Sequence, residues 1–293
     1  MSAQPSIAKA ALWMAGWLSL MLLLTVAGRE ATPYVDVFQI MEMRAIIGLL
    51  VLYPLVRAAG GFASVRTKVL GQHVGRNVVH YGAQFAWFYA LTLIPLAQLI
   101  SIEFTMPIWT ALFAALFLGE RITGVKAASI VLGLAGVAII VRPGVGEIEL
   151  GQLVALAAAL GFGISVTMVK SLTRHDSVTT IIFWMLVVQA IIGFVPALLV
   201  WQWPPAAVWP WIVVIGFCGT FSHYCMTRAL AHADATVVVP MDFLRVPLTA
   251  FLGWALYMEA LDGLTVAGAL LILFGNSLNL RRGSTARIPA ASD

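Results

Sequence analysis

The chain has 293 residues, of which 61% are hydrophobic and only 10% are charged, and its mean hydropathy is +0.96. Because so few polar side chains cannot cover a water-facing surface, this composition excludes a soluble globular protein and predicts an integral membrane protein. The formal net charge of +4 does not indicate nucleic acid binding, since the basic residues stand beside apolar runs, where they orient a protein in a bilayer.

Ten apolar segments follow one another along the chain, separated by charge clusters and Gly/Pro turns. Each approaches the roughly 20 residues that a helix needs to cross a bilayer, and the loops are too short to form a separate domain. The predicted spans are residues 10–27, 35–56, 77–93, 97–118, 124–141, 150–169, 178–200, 207–230, 235–257 and 263–280. We therefore expect an all-α membrane protein with ten transmembrane helices, in which any chemistry takes place between the helices.

The first span, residues 10–27, follows Lys9 and resembles the apolar part of a secretory signal peptide. About 17 apolar residues are also enough to span a membrane, and the second half of the chain has a counterpart at residues 150–166. We therefore expect this segment to be retained as the first transmembrane helix. Trp13 and Trp17 share one face of it and are predicted to wall an internal cavity.

Charged side chains lie within the second and fourth spans, where each needs a partner or a water-filled cavity. Glu42 and Arg44 are two residues apart and face different sides of one helix, while Glu103 lies at a similar depth on another. We expect Arg44 to pair with Glu103, either to gate a path through the protein or only to fix the helix register. Met106 and Trp109, deeper on the fourth span, are predicted to line the same cavity.

The third span carries hydrogen-bonding and aromatic side chains along one wall. His80 and Gln84 share a helical stripe, and Tyr81 lies beside it. A counterpart on the eighth span is formed by His223 and Tyr224. These five residues are the candidate substrate-binding wall, although a packing role for each histidine remains the alternative. Stacking and packing against such a wall suit a small amphipathic solute.

The ninth span contains Asp242 and Arg245, which are three residues apart and can therefore pair on one helix face. Pro247 lies close to them, and so does Pro240, while Pro107 lies close to Glu103 in the fourth span. Because a proline removes a backbone hydrogen bond and permits a bend, these three prolines are predicted to act as hinges.

The sequence partly repeats itself after 139 positions, since Ala90 falls on Ala229 and Glu103 falls on Asp242. Further matched positions are Thr110 and Thr249, Glu120 and Glu259, Gly124 and Gly263, Gly136 and Gly275, and Arg142 and Arg281. Five spans per half is an odd number, so residues 1–145 and 146–293 are predicted to form two inverted repeats around a central cavity. Asp242 and Arg245 would then lie toward one side of the cavity and Glu103 toward the other. A duplication that only builds a symmetric scaffold is the alternative.

Lysine and arginine residues predict the orientation of the spans. With the N-terminus in the cytoplasm, thirteen basic residues fall on the cytoplasmic side and two, Arg29 and Arg142, fall outside. The thirteen are Lys9, Arg57, Arg66, Lys68, Arg76, Arg121, Lys126, Lys170, Arg174, Arg228, Arg281, Arg282 and Arg287. We therefore expect both termini to lie in the cytoplasm.

The turns that close the long apolar fourth and ninth spans, residues 119–124 and 258–263, have related sequences, and a Gly-rich last helix follows each. With ten spans in two halves, this pattern resembles the drug/metabolite transporter superfamily, specifically its EamA-type exporters and most closely the bacterial aromatic amino acid exporters. The resemblance implies a bacterial inner-membrane protein in which the first four helices of each half line the cavity. The fifth helices, around residues 133–136 and 268–275, would stand outside and support packing or a dimer contact, so the protein would be a monomer or a homodimer.

The sequence contains no phosphate-binding loop for ATP, no zinc-protease motif, no serine-hydrolase elbow and no Cys/His metal cluster. We accordingly expect no catalytic residue, no cofactor and no metal. The predicted function is export of amino acids or similar small metabolites by alternating access, driven by a proton gradient through Glu42, Glu103 or Asp242 or else by facilitated diffusion. Phosphorylated or nucleotide sugars remain alternative substrates, and an intramembrane enzyme and a channel remain alternative classes.

Overall fold

The computed structural model describes residues 6–118, 123–141, 149–230, 232–233, 238, 241–260 and 262–283, and the regular secondary structure of these residues is helical throughout. The α-helices are α1 (Ile7–Ala31), α2 (Val37–Ala58), α3 (Leu70–Leu93), α4 (Leu96–Glu103), α5 (Met106–Leu118), α6 (Gly124–Val141), α7 (Leu150–Leu172), α8 (Val178–Leu199), α9 (Trp209–Leu230), α10 (Arg245–Tyr257) and α11 (Gly263–Gly283). Short 3₁₀ helices occur at Gly61–Val65 and Ala206–Val208.

Side chains that accept hydrogen bonds from free backbone N–H groups mark where several helices begin. The Ser6 hydroxyl accepts from the Lys9 N–H ahead of α1, and the Asp36 carboxylate accepts from the Phe38 N–H at 2.8 Å ahead of α2. Ser177 does the same for α8. These caps accept hydrogen bonds from backbone N–H groups of the first turn, which have no partner within the helix. The capping residues therefore help to define where these three helices begin.

The fourth predicted span is broken in two. Helix α4 ends at Glu103, and α5 begins at Met106 after a two-residue turn. Pro107 explains the break, since it has no N–H to bond the Glu103 carbonyl four residues earlier. The predicted span over residues 97–118 is thus present but interrupted beside Pro107, where a bend was expected, and Glu103 lies at a helix end.

The ninth predicted span shows a related arrangement. Helix α10 begins at Arg245, with Pro247 in its first turn, where a proline is tolerated. The residues immediately before it, 241–244, are not part of this helix. The proposed hinge at Pro240 lies outside the described residues.

Six helical segments in the described part are long and apolar enough to cross a membrane: Ile7–Ala31, Val37–Ala58, Leu96–Phe117, Leu150–Val169, Val178–Leu199 and Ala206–Met226. Shorter apolar stretches occupy Ala127–Val141 in α6 and Gly263–Leu278 in α11. Helix α3 is equally long but more polar, because His73, Asn77, His80 and Gln84 are buried along its inner face. The chain is therefore a multi-pass helical bundle.

Helices from the two halves of the chain pack against one another. Helix α1 lies along α9, α3 lies along α7, and α2 contacts both α8 and α9. Helices α6 and α11 pair at Gly136 and Gly268, where the backbones approach so closely that a Cβ atom on either glycine would lie within 2.7 Å of the other glycine's carbonyl oxygen. The Gly-rich helices thus contact each other within one chain, through the small residues typical of membrane helix crossings.

Candidate functional site

An ion pair joins the two helix breaks. Arg245 Nη2, at the start of α10, lies 2.9 Å from Glu103 Oε1, at the end of α4. Arg245 Nε also lies 3.5 Å from Asp242 Oδ1, as the spacing of these residues predicts. The guanidinium packs over the Phe104 ring at 4.9 Å from its centroid, an arrangement that favours a cation. The positive charge of Arg245 is therefore stabilised by two acids, Glu103 and Asp242, and by the face of an aromatic ring.

Two tryptophans extend this network to further helices. The Trp17 indole on α1 donates a hydrogen bond to Asp242 Oδ1 at 2.7 Å, and the Trp87 indole on α3 donates one to Glu103 Oε2 at 2.7 Å. We call Trp17, Trp87, Glu103, Asp242 and Arg245 the ion network. Because it links α1, α3, α4 and α10, a movement of any one of these helices changes the contacts of the others.

The structure does not support the expected pairing of Arg44 with Glu103. Arg44 Nη1 instead donates to Gln84 Oε1 at 3.1 Å and to Gln189 Oε1 at 3.3 Å. Helix α4 packs against α10, which brings Glu103 to Arg245, whereas Arg44 on α2 faces α3 and α8. The expectation of separate polar groups at two gates is wrong for the same reason, since Glu103, Asp242 and Arg245 form one network.

A second group of buried polar side chains lies on α2 and on the three helices that pack against it. Its members come from α2, α3, α8 and α9; we call them the central polar cluster: Glu42, Arg44, Tyr81, Gln84, Gln189 and Thr220. Two glycines, Gly193 and Gly219, let the helices approach closely around it. A Cβ atom on Gly193 would lie 2.7 Å from Glu42 Oε2 and 3.0 Å from the Tyr81 hydroxyl, and one on Gly219 would lie 2.6 Å from Arg44 Nε.

Several polar atoms of the central polar cluster are buried without a hydrogen-bond partner. They are Glu42 Oε2, the Tyr81 hydroxyl, Gln189 Nε2 and the Thr220 hydroxyl. Burial of such a group without a hydrogen bond lowers the stability of the fold by about 1–3 kcal/mol, and the loss is larger for a charged group. Glu42 and Arg44 are each only 4% exposed. The cluster therefore contains both signs of charge and both hydrogen-bond donors and acceptors.

The predicted aromatic wall lies next to this cluster but is divided between two helix pairs. His80 Nδ1 lies 3.2 Å from the Ser165 hydroxyl, at the contact of α3 with α7. His223 packs edge-on against Trp17, and Tyr224 packs edge-on against Trp13, at the contact of α9 with α1. Only Gln84 and Tyr81 of the predicted wall belong to the central polar cluster.

Met106 and Trp109 lie on α5, where it packs against α7. The Trp109 indole donates a hydrogen bond to the Thr105 hydroxyl at 3.1 Å, and a Cβ atom on Gly163 would lie 2.6 Å from Trp109 Cβ. The predicted role of these two residues in lining the cavity remains a prediction. A cavity of about 790 Å³ lies between α4, α7, α10 and α11, and none of the predicted wall residues lines it.

Sequence reasoning missed Gln189, Thr220 and Phe104, and it did not predict the hydrogen bond of Trp87 to Glu103. Gln189 interrupts a strongly apolar run, which was an available signal, because a polar side chain within a span requires a partner. Trp87 and Phe104 gave no comparable signal, since aromatic residues are frequent throughout the chain. Their roles depend on how the helices pack.

A bundle of apolar helices, with charged and unpartnered polar side chains gathered in its interior, is the architecture of a multi-pass membrane transporter. The model of the EamA-like transporter family matches the chain twice, at residues 8–142 and 149–281. The chain belongs to the EamA-like transporter family, within the drug/metabolite transporter superfamily, and it is a transporter rather than an enzyme.

Relatives with different named solutes match most of the chain. A riboflavin transporter of Brucella anthropi is 33% identical over 81% of this chain and 85% of its own. The pseudopaline exporter CntI of Pseudomonas aeruginosa is 30% identical over 84% and 86%, and an S-adenosylmethionine uptake transporter of Rickettsia prowazekii is 25% identical over 80% and 80%. A crystal structure that is 22% identical covers 97% of this chain and 100% of its own with a TM-score of 0.67, which shows that the fold is shared.

Proposed function

We propose that this transporter exports amino acids, in particular aromatic and other apolar ones, by alternating access across a bacterial inner membrane. Ten spans in two inverted repeats, residues 1–145 and 146–293, would place both termini in the cytoplasm. The observation that carries the substrate class is the central polar cluster, in which Glu42 and Arg44 lie buried without an ion pair between them.

The helix contacts support two repeats related by a twofold axis, and the odd number of spans per half makes the repeats inverted in this proposal. Exchanging the halves converts the pair α1–α9 into α7–α3 and the pair α2–α9 into α8–α3, and all four pairs occur. The pairs α2–α8 and α6–α11 convert into themselves, as expected for helices that meet on a twofold axis. An axis of this kind would run between α2 and α8, which carry members of the central polar cluster, and transporters built from repeats bind their solutes at the interface of the repeats.

The chemistry of the cluster supports an amino acid. A free amino acid carries a carboxylate and an ammonium group on neighbouring atoms. Arg44 is held by the neutral amides of Gln84 and Gln189, which leaves its charge for a carboxylate. Glu42 Oε2 and the Tyr81 hydroxyl lack partners and can accept from an ammonium group. Phe85 and Phe38, stacked at 4.5 Å beside the cluster on α3 and α2, offer an apolar surface.

Efflux from proteoliposomes tests this proposal. Vesicles containing the protein are loaded with radiolabelled phenylalanine, methionine or riboflavin, and the initial rate of release is measured. We expect efflux of the two amino acids, and an approximately 10–100-fold lower rate for Arg44→Gln, which removes a charged hydrogen bond. Arg57→Gln is the matched control, because Arg57 is an exposed cation at the far end of the same helix.

Riboflavin transport is the second candidate, because two riboflavin transporters are each 33% identical to this chain. The same vesicles distinguish the two. Release of riboflavin without release of either amino acid would overturn the amino acid assignment while leaving the transporter class intact. Normal amino acid release by Arg44→Gln would overturn the role of the central polar cluster, while the amino acid assignment would remain.

A further inference from the structure

The 790 Å³ cavity is separate from the central polar cluster and lies toward one end of the bundle. Helices α4, α7 and α11 begin there, and α6 and α10 end there. No member of the central polar cluster is among its lining residues. Its volume falls within the roughly 300–1,000 Å³ of sites that hold small organic molecules.

The walls of this cavity are mostly apolar and partly aromatic. Phe243, Phe251 and Trp254 supply rings from α10 and the turn before it, and Leu270 faces them from α11. Phe251 and Trp254 are more than half exposed, so the cavity opens sideways between α10 and α11. An apolar or aromatic ligand body can therefore enter from the side and bury its surface against these rings.

Two glutamines place unsatisfied acceptors beside the cavity. Gln98 on α4 and Gln152 on α7 both line it, and the Oε1 atom of each is buried without a hydrogen-bond partner. Gln152 is only 6% exposed as a whole residue. The terminal amide of a glutamine turns with little resistance, so either oxygen can face a donor that enters the cavity. A ligand that donates hydrogen bonds would satisfy both atoms.

The charged residues in the described lining of the cavity are both acidic. Glu149 and Asp262 lie exposed at its rim, at the starts of α7 and α11. Among the described residues that line it, none is lysine, arginine or histidine. A rim of carboxylates attracts cations and repels anions, so the arrangement favours a ligand whose donor group is positively charged.

We propose that this cavity binds a small amphipathic amine, with its aromatic or aliphatic body against the α10 rings and its protonated amino group between Gln98 and Gln152. The site is distinct from the solute site of the proposed function, and neither depends on the other. A ligand here contacts α4 and α10, the two helices that the ion network joins.

Calorimetry on the protein in phosphatidylcholine nanodiscs tests the proposal, with the heat of empty nanodiscs subtracted. The probes are 4-phenylbutylamine and 4-phenylbutyrate, which share a body and differ in the sign of the charge. We expect the amine to bind at least about tenfold more tightly. The double variant Gln98→Leu/Gln152→Leu should bind the amine about tenfold less tightly, while Gln72→Leu, at an exposed glutamine of α3, should bind it as the wild type does.

A second variant keeps the test informative if the leucine variant does not fold. Gln152→Glu retains the shape of the side chain and adds a negative charge, so amine affinity should rise. Equal binding of both probes, an absence of amine binding, or an unchanged affinity in both Gln152 variants would overturn the proposal. Loss of amine binding in nanodiscs that contain phosphatidylethanolamine would assign the cavity to a lipid headgroup and would overturn it as well.

Discussion

Glu103 and Arg245 lie 2.9 Å apart and connect two helix breaks in the described part of the chain, one in each segment matched by the family model. A break frees backbone groups and allows two helix pieces to change their angle. Here the break in each half is tied to the other by a buried ion pair. The two halves therefore have a direct charged contact at a helix break in each half.

Replacement of Arg245 by glutamine should destabilise the protein strongly. Removing one partner of a buried ion pair leaves uncompensated charge on Glu103 and Asp242, which costs about 3–5 kcal/mol. Thermal unfolding in detergent measures the effect. The double variant Glu103→Gln/Arg245→Gln should recover part of the loss, because it removes charge of both signs. A double variant that is less stable than Arg245→Gln would contradict this account of the ion network.

Replacement of Gly268 by alanine should disrupt the contact between α6 and α11. The added Cβ atom would lie 2.6 Å from the Gly136 carbonyl oxygen, and this backbone atom cannot move aside as a side chain can. We expect a loss of about 1–3 kcal/mol, as for other overpacked sites, measured as a lower unfolding temperature. Gly82→Ala on α3 is the control, because its Cβ atom would meet nothing within 4 Å. Equal unfolding temperatures of the two variants would contradict this prediction, because α6 and α11 could then move apart without a loss of stability.

Replacement of Glu42 by glutamine tests whether a proton gradient drives export. Glu103 and Asp242 are already engaged in the ion network, whereas Glu42 Oε2 has no hydrogen-bond partner. If Glu42 carries the coupled proton, an imposed pH gradient should accelerate wild-type efflux several-fold and leave Glu42→Gln unaffected. The measurement is efflux of radiolabelled phenylalanine with and without the gradient. Equal wild-type rates in both conditions would exclude proton coupling.

The loop between α7 and α8 should lose stability in acid. Burial alone would raise the pKa of the Asp176 carboxyl, but hydrogen bonds from His73 at 2.7 Å and Thr67 at 2.6 Å outweigh it and hold the pKa below its ordinary value. The contribution of Asp176 is therefore complete above the unfolded pKa of about 3.9 and disappears as the pH falls through the lower folded value.

Unfolding temperatures of the wild type and of Asp176→Asn, measured between pH 7 and pH 3, test this behaviour. The wild type should be more stable at pH 7, and the difference should shrink toward pH 3. Asp36→Asn serves as the control, because asparagine caps a helix about as well as aspartate. A difference between wild type and Asp176→Asn that grows on acidification would contradict the assignment.

The sequence predicted the features that depend on composition and on spacing along one helix. Long apolar runs predicted a helical membrane protein, and the three-residue spacing of Asp242 and Arg245 predicted their contact at 3.5 Å. Both inferences use local geometry, which a single sequence contains. The family resemblance, carried by the repeated turns and the Gly-rich helices, is confirmed by the double match of the family model.

Contacts between helices were harder to predict, because they depend on which helix faces which. Glu103 and Arg44 lie at similar depths, yet Glu103 pairs with Arg245 because α4 packs on α10. Phosphorylated sugars, an alternative substrate class, would need a buried arginine without an acid beside it. Arg245 has acids beside it, whereas the described hydrogen bonds of Arg44 go to the amides of Gln84 and Gln189.

The pairing of helices across the two halves has a consequence for biogenesis. When α6 leaves the ribosome, its glycine face has no counterpart, because α11 is still more than a hundred residues from being made. The same holds for α1, which waits for α9. The contact faces of α1 and α6 are therefore covered by lipid until the second half is made. Membrane insertion of the N-terminal half thus precedes final assembly of the bundle.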